Sequence, residues 1–252
     1  MAWMRSSAVL TVLVIVIIGG LMQIVVSAAW VSELVIPKPL AILAALAGML
    51  LERSTWDYFF ITLSSTLAAN FVAVGGGLTI GFCLHFRPTW SKATVPMFAA
   101  AFAAPMILLY PIFLVLFGRT QSTIIIMGAL TGLIPVVLNT VVALDGVPRY
   151  FHAVARSYGC TRWQHMIHVI FPAAASGIFV GIRLGLIYSL VNIIGIEFLI
   201  NFGGLGYLVS HMYDLFEITK MYAAILLVIT VSALFYSVLN WAQRRVNQVS
   251  VG

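Results

Sequence analysis

The sequence predicts an all-α polytopic membrane protein with about six transmembrane helices, and three observations carry that prediction. Hydrophobic residues make up 62% of the 252 residues and charged residues only 8%. The apolar residues gather in runs that reach or approach the roughly 20 residues needed to cross a bilayer core. The charged residues fall almost entirely between those runs. One soluble core could not hide so much apolar surface in a chain of this length. The runs are continuous instead of alternating with period two, which argues against a β-barrel.

Taken in order, the expected helices cover approximately 7–31, 56–86, 94–117, 123–144, 173–202 and 219–242, within a single transmembrane domain over 1–252. The first run has the look of a secretory signal, with Ser27-Ala28-Ala29 as a weak cleavage site. Its apolar core is longer than a signal's, so it is read as a retained helix with Arg5 on its cytoplasmic side. The loops then sort by charge. With the N-terminus inside, the inner segments hold Arg5, Arg87, Lys92, Arg149, Arg156, Arg162, Arg244 and Arg245 against Asp145 alone. The outer segments mix Lys38, Arg53, Arg119 and Lys220 with Glu33, Glu52, Asp57, Asp214 and Glu217. This bias follows the positive-inside rule and puts both termini in the cytoplasm. The net charge of +6 is therefore mostly topology, and no nucleic-acid partner is implied.

Between the first two spans, "IPKPLAILAALAGMLLERSTWDYF" predicts a proline-bracketed approach and a short amphipathic helix ending near Glu52 and Arg53. That helix would lie along the outer interface, with Trp56 and Tyr58 as headgroup-level anchors. An ordinary outer connector is the alternative. The second span contains "VGGGLTIG", tolerable in a membrane helix because neighbouring helices resupply packing and backbone partners. Pro96, Pro105 and Pro111 predict a kinked or broken third span. Gly177, Gly181 and Gly185 give the fifth span a small-residue face, a packing surface first of all. Cys83 and Cys160 fall at the inner side, where a disulfide is not expected.

The segment 145–172 stands apart, with "HAVARSYGCTRWQHMIHVIFP" polar and basic between two apolar runs. Pro148 suits a helix start, and Asp145 before it would complement the helix dipole. Gly159 suits a left-handed C-terminal cap. Thr161-Arg-Trp-Gln164 reads as a capping box opening a second helix, which is expected to end at Phe171-Pro172. A helix–turn–helix role on DNA is set aside, because Pro172 tethers the second helix to the membrane. His152, His165 and His168 raise the question of a metal, but no acidic residue or cysteine completes a site, and none is assigned. A docking element remains: small residues Ala153, Ala155 and Gly159 for close approach, and Arg149, Arg156 and Arg162 as charged anchors.

These residues also carry a family resemblance. Ala153, Val154, Ala155, Gly159, Val169, Phe171 and Pro172 match the spacing of the cytoplasmic signature loop of binding-protein-dependent ABC importer permeases. That loop reads Glu-Ala-Ala, three residues, Gly, nine residues, Ile, one residue, Leu-Pro. "IPKPLAILAAL", "ARSYGCTRW" and "GIRLGLIYSLVNIIGIEFLINFGGLGYLV" are similar to the nitrate, sulfonate and taurine branch, so the likeness runs from about Val35 to Arg245. Two departures stand out. Ala153 replaces the signature glutamate, with His152 beside it, and Val147 precedes Pro148 where the family often has aspartate.

The resemblance implies a type I ABC importer permease fold in a bacterial inner membrane. It also implies separate ABC ATPase subunits that carry ATP and magnesium, a second permease copy (identical or a paralogue) and an external solute-binding protein. Besides membrane lipid, these are the expected partners. The cargo implied is a small anion of the sulfonate, taurine, nitrate or carboxylate class. The loop residues Arg149, His152, Ala153, Ala155, Arg156, Gly159, Cys160, Thr161 and Arg162 would then meet the ATPase. No Gly-x-x-x-x-Gly-Lys-Ser/Thr motif occurs in this chain, so no cofactor or ATP hydrolysis is expected of it. A polytopic membrane enzyme using the loop histidines is the alternative.

Polar groups inside spans mark the candidate path. They are Asn70, Asn139, Arg183, Asn192 and Glu197, with Gly204 and Gly206 at an outer break that, by resemblance, forms a gate. Arg183 lies about 16 Å past Pro172 along a helix, near the midplane. It is read either as an anion site or as a structural partner of another side chain. Glu197, near the outer end, is read as structural or gating.

Overall fold

The computed structural model describes Leu10, residues 13–14, 17, 20–28, 32 and 35–249, with the side chains of 246–249 excepted. The expected first span and Arg5 lie largely outside the described residues; Leu10, 13–14, 17 and 20–27 within that span are helical. The described helices are α1 (Pro39–Leu51), α2 (Arg53–His85), α3 (Pro88–Ala103), α4 (Tyr110–Phe117), α5 (Gln121–Asp145), α6 (Arg149–Ser157), α7 (Arg162–His165), α8 (Phe171–Ile200), α9 (Leu205–Asp214) and α10 (Ile218–Val249). A 3₁₀ turn at Met106–Leu109 and a π-helical turn at Met166–Ile170 complete them, and no strand occurs among the described residues. Among the described residues, four stretches are long and apolar enough to cross a membrane, those of α2, α5, α8 and α10. α3 and α4 make a fifth if their bent pair is one span.

α5 is the centre of the bundle, held between α2 and α8 by backbone-level contact. A Cβ on Gly77 would lie 2.7 Å from Val136 Cβ, and one on Gly81 would lie 2.6 Å from Thr140 Cβ. On the other side, Gly177 and Gly181 meet Ala143 and Asn139, and a Cβ on Gly185 would lie 2.5 Å from the Gly132 carbonyl oxygen. In lipid, where apolar burial gives helices little net attraction for one another, this close approach is what packs them. The glycine face of α8 is therefore spent inside this chain. At one level of the bundle Ala69, Ile124, Met127, Ala129, Ile193, Ile196 and Ile200 fill the space between the three helices.

The expected break in the third span falls at Ala104-Pro105, where the chain bends by 88° between α3 and α4. Pro105 has no N–H to continue the ladder, and Ala104 before it is extended. α1 corrects one expectation. It is apolar on all faces instead of amphipathic, and it buries Ile42 and Met49 in a cluster with Leu205, Leu208, Ala223, Ala224 and Leu227 of α9 and α10. Its sequence, PLAILAALAGMLL, has no polar residue to form a second face. Trp56, at the start of α2, donates from Nε1 to the Leu50 carbonyl at 3.0 Å, which fixes the corner between the two helices.

Candidate functional site

At one end of the bundle, residues 145–172 form a helical hairpin whose local geometry follows from its sequence. α6 ends in a Schellman motif: Cys160 N–H donates to Ala155 O at 3.1 Å and Gly159 N–H to Arg156 O at 3.0 Å. Gly159 takes φ +66°, which a side chain rarely adopts, and nothing lies near the space its Cβ would fill. Thr161 and Gln164 form the reciprocal capping box that starts α7. The rings of His152 and His165 meet edge-on at 5.0 Å, so two of the loop histidines hold the hairpin's two helices together. Among the described residues no group of three or more His, Cys, Asp or Glu is placed to hold a metal ion.

Two further expectations are corrected here. The helix begun at Thr161 does not end at Phe171-Pro172. It passes through the π-helical turn, in which Phe171 N–H reaches back to Met166 O, and continues without interruption into α8. A proline ring clashes with the carbonyl one α-helical turn behind it and leaves that acceptor unbonded. A wider π-turn just before Pro172 is where such a clash is relieved. The second correction concerns Asp145. It contacts His85 Nδ1 at 2.6 Å, tying the C-terminal ends of α5 and α2 together instead of serving the start of α6.

The hairpin has an inward and an outward side. Ala155 is buried, and Val147, Met166, Ile170, Ala174 and Ile178 pack with Leu144 beneath the hairpin. The smallness of Ala155 thus serves this chain's own packing. Outward lie Arg149, Ala153, Arg156, Gly159, Thr161 and Arg162, together with the exposed rings of Tyr150, Tyr158 and Trp163. Three arginines among exposed aromatic rings make a basic, amphipathic face of the kind that anchors protein interfaces. Cys160 is half-buried, and both it and Cys83 are free thiols.

At the opposite end, Glu197 on α8 is 0% exposed. Thr62 Oγ1 of α2 lies 2.9 and 2.8 Å from its two carboxylate oxygens and donates to them. Gly206 N–H donates to Oε2 at 3.1 Å, and Leu205 N–H donates to Thr62 Oγ1 at 2.8 Å. Gly204, at φ +95°, and Gly206 lie so close that a Cβ on either would overlap Glu197 or the α8 backbone. One carboxylate thus pins α2, α8 and the start of α9 at the break 201–204. Arg119 braces the same break from the α4–α5 connection, donating from Nε to Ile200 O and from Nη2 to Asn201 O, both at 2.9 Å.

The other candidate path residues are dispersed. Asn139 donates from Nδ2 to Pro135 O at 2.8 Å and packs against Gly181, inside the α5–α8 contact. Arg183 is half-buried and turned to α10, where Nη1 lies 3.4 Å from Asn240 Oδ1, and its Nε has no partner. Asn70 and Asn192 each bury a side-chain oxygen without a partner. Only Glu197, Gly204 and Gly206 are brought together. Thr62, Arg119 and Asn240 went unrecognised in the sequence as partners of these groups. Their one signal was the stripe of small and polar residues at 62, 66, 69, 73, 77 and 81 on α2, and it marks Thr62 alone.

The exposed hairpin and the pinned break thus lie at opposite ends of a glycine-packed bundle of apolar helices. The family of binding-protein-dependent transport system inner membrane components matches residues 73–248, and the chain belongs to it. It is the membrane-spanning permease subunit of an ABC importer, a multi-pass inner-membrane protein, and a transport component as opposed to an enzyme. The riboflavin transport system permease protein RibX of Chloroflexus aurantiacus is 25% identical, covering 83% of this chain and 78% of that one. The putative aliphatic sulfonates transport permease protein SsuC of Bacillus subtilis is 25% identical over 96% of this chain and 86% of its own length. The taurine transport system permease protein TauC of Escherichia coli is 24% identical over 85% and 80%. In fold, the chain is similar to a solved inward-facing structure of the MetNI methionine ABC transporter. That match has a TM-score of 0.62 and 20% identity, over 77% of this chain and 94% of that one. These relatives favour the transport reading over the membrane-enzyme alternative.

Proposed function

We propose that the 145–172 hairpin is the docking element for a separate ATPase subunit and that the bundle forms the path for a small anionic solute. The observation that carries the reading is the unbroken helix from Arg162 through α8. A push on the exposed face of the hairpin has no flexible joint in which to dissipate before it reaches the middle of the bundle. The ATPase drives transport by binding the two bundle states with different affinity, which is all that a coupled partner can do. ATP and magnesium belong to that partner. The assembly is two permeases, identical or paralogous, with two ATPases and an external solute-binding protein. The chain crosses the membrane six times, with 7–31 as its first span and both termini in the cytoplasm, as its loop charges favour.

With Ala153 in place of the signature glutamate, Arg149, Arg156 and Arg162 carry the polar part of docking. The sulfonate and taurine permeases among the relatives support an organic anion as cargo. So does Arg183, whose guanidinium makes one long contact and leaves Nε free.

Reversing two of the hairpin charges tests this reading. The R156E/R162E double variant is expected to insert in the membrane at wild-type level and to lose at least about tenfold in ATPase co-purification, as buried interfacial charge pairs do when one partner is removed. Undiminished co-purification would remove the hairpin from the interface.

A further inference from the structure

The outward face of α6 is centred on a residue with almost no side chain. Positions three and four apart share a helix face, so Arg149, Ala153 and Arg156 lie within an arc of about 60° on a helix of 3.6 residues per turn. All three are exposed, on the side of α6 away from Ala155, which is buried against the bundle. Arg162, the first residue of α7, adds a third exposed guanidinium. None of these arginines makes a salt bridge to a described residue. Segment 145–172 holds one carboxylate, Asp145, and that one is engaged with His85. A glutamate at position 153 would stand four residues after Arg149 and three before Arg156, the spacings at which helical ion pairs form. Alanine leaves both guanidinium groups without an answering charge inside the chain.

We infer that the partner supplies that charge: the ATPase surface that receives the hairpin is an acidic groove, with carboxylates opposite Arg149 and Arg156. The inference rests on the docking reading above and names the chemistry of its partner. Like charges brought together at an interface are strongly unfavourable, and partners are selected by such repulsion as much as by attraction. An ATPase surface made for a glutamate at this position, and so bearing a basic group, would meet two arginines here and be repelled. Anionic lipid headgroups also attract clustered arginines. Headgroups are satisfied by the guanidinium tips alone, however, whereas Ala153 and Gly159 keep the outward side low enough for a partner's side chains to reach the helix backbone. Nothing lies near the space that a Cβ on Gly159 would fill. A shaped protein surface uses that access, and a headgroup layer does not.

The centre of the stripe is the place to test this, in the full chain with its co-expressed ATPase in phosphatidylcholine nanodiscs. Ala153→Glu is expected to insert at wild-type level and to lower ATPase retention at least about tenfold, because it neutralises the arginines within the chain and turns a like charge toward the partner. Ala153→Gln, of the same size without the charge, is expected to retain at least about fivefold more ATPase than Ala153→Glu. Arg156→Lys then places an amine that carbodiimide joins to a touching carboxylate, forming an amide with loss of water. An adduct with the ATPase at position 156 is expected, and wild type, whose arginine is inert to the reagent, gives none there. Unchanged or raised retention in Ala153→Glu, equal losses in Ala153→Glu and Ala153→Gln, or no adduct from Arg156→Lys would each overturn the inference. So would wild-type retention that falls when phosphatidylglycerol replaces part of the lipid and recovers in Ala153→Glu, which would assign the face to the membrane. The R156E/R162E variant is measured on the same preparation. If it loses the ATPase while Ala153→Glu keeps it, the acidic-groove assignment falls alone; if it keeps the ATPase, the docking reading falls and takes this one with it.

Discussion

Replacing Glu197 with alanine is expected to loosen the end of the bundle opposite the hairpin more than any other single change. The carboxylate accepts from Thr62 and Gly206 while fully buried, and it fills the space left by Gly204 and Gly206. Truncation leaves the Thr62 hydroxyl hydrogen and the Gly206 N–H without an acceptor, and it opens a void between α8 and α9. Each orphaned buried group costs about 1–3 kcal/mol, and the void adds to that. The combined loss is about 3 kcal/mol or more, which for a chain of this size corresponds to a fall of about 6 °C or more in unfolding temperature. Thr62→Val should approach the same loss, because it also strands the Leu205 N–H, whereas Thr62→Ser should restore most of it. A fluorescence-monitored thermal unfolding series in detergent reads all three. An unfolding temperature for Glu197→Ala within a degree of wild type would show that the network does not hold the break.

The second large effect is on coupling. The helix running from Arg162 through the π-turn into α8 is the only rigid link between the exposed hairpin and the middle of α8 that the described residues show without a break. Substituting His168 and Val169 together by glycine puts two flexible residues in that link, each costing a helix interior about 1 kcal/mol relative to alanine. The docking face is left untouched. The expected outcome is normal ATPase co-purification and continued ATP hydrolysis with solute uptake reduced at least about tenfold, while the matched double alanine variant transports normally. Equal uptake by the glycine and alanine variants would mean that force reaches the bundle by another route.

Much of this architecture was legible in the sequence because membrane helices announce themselves by composition. The apolar runs of α2, α5, α8 and α10 read as spans, and Pro96, Pro105 and Pro111 together announced a kink or break, though not which of them makes it: Pro96 lies inside α3 and the break falls at Pro105. Gly159 and the Thr161–Gln164 box are local devices, each readable within a few residues, and the hairpin they form has the expected shape. What stayed hidden depends on tertiary contact or on a choice between two local rules. Pro172 read as a stop, because the π-turn that lets the helix pass through it has no residue signature. Asp145 read as a partner for the next helix, because nothing local reveals that His85, sixty residues earlier, comes within 2.6 Å of it. Glu197 stood out in the sequence as an acid inside a span, structural or gating, but its partner Thr62, and Arg119 at the same break, became visible only once α2 and the α4–α5 connection were packed against α8. The bend between α3 and α4 measures 88°, and its size and direction are not encoded locally in the sequence.

The most direct test of the central claim places a photo-crosslinking benzophenone amino acid at Tyr158, on the exposed side of the hairpin, where it is 84% exposed. The control carries it at Phe71, which is 83% exposed on the flank of α2 within the apolar span. Irradiated in membranes that contain the co-expressed ATPase, position 158 should give a covalent adduct with the ATPase and position 71 none. No adduct from position 158, or equal adducts from both, would contradict the account.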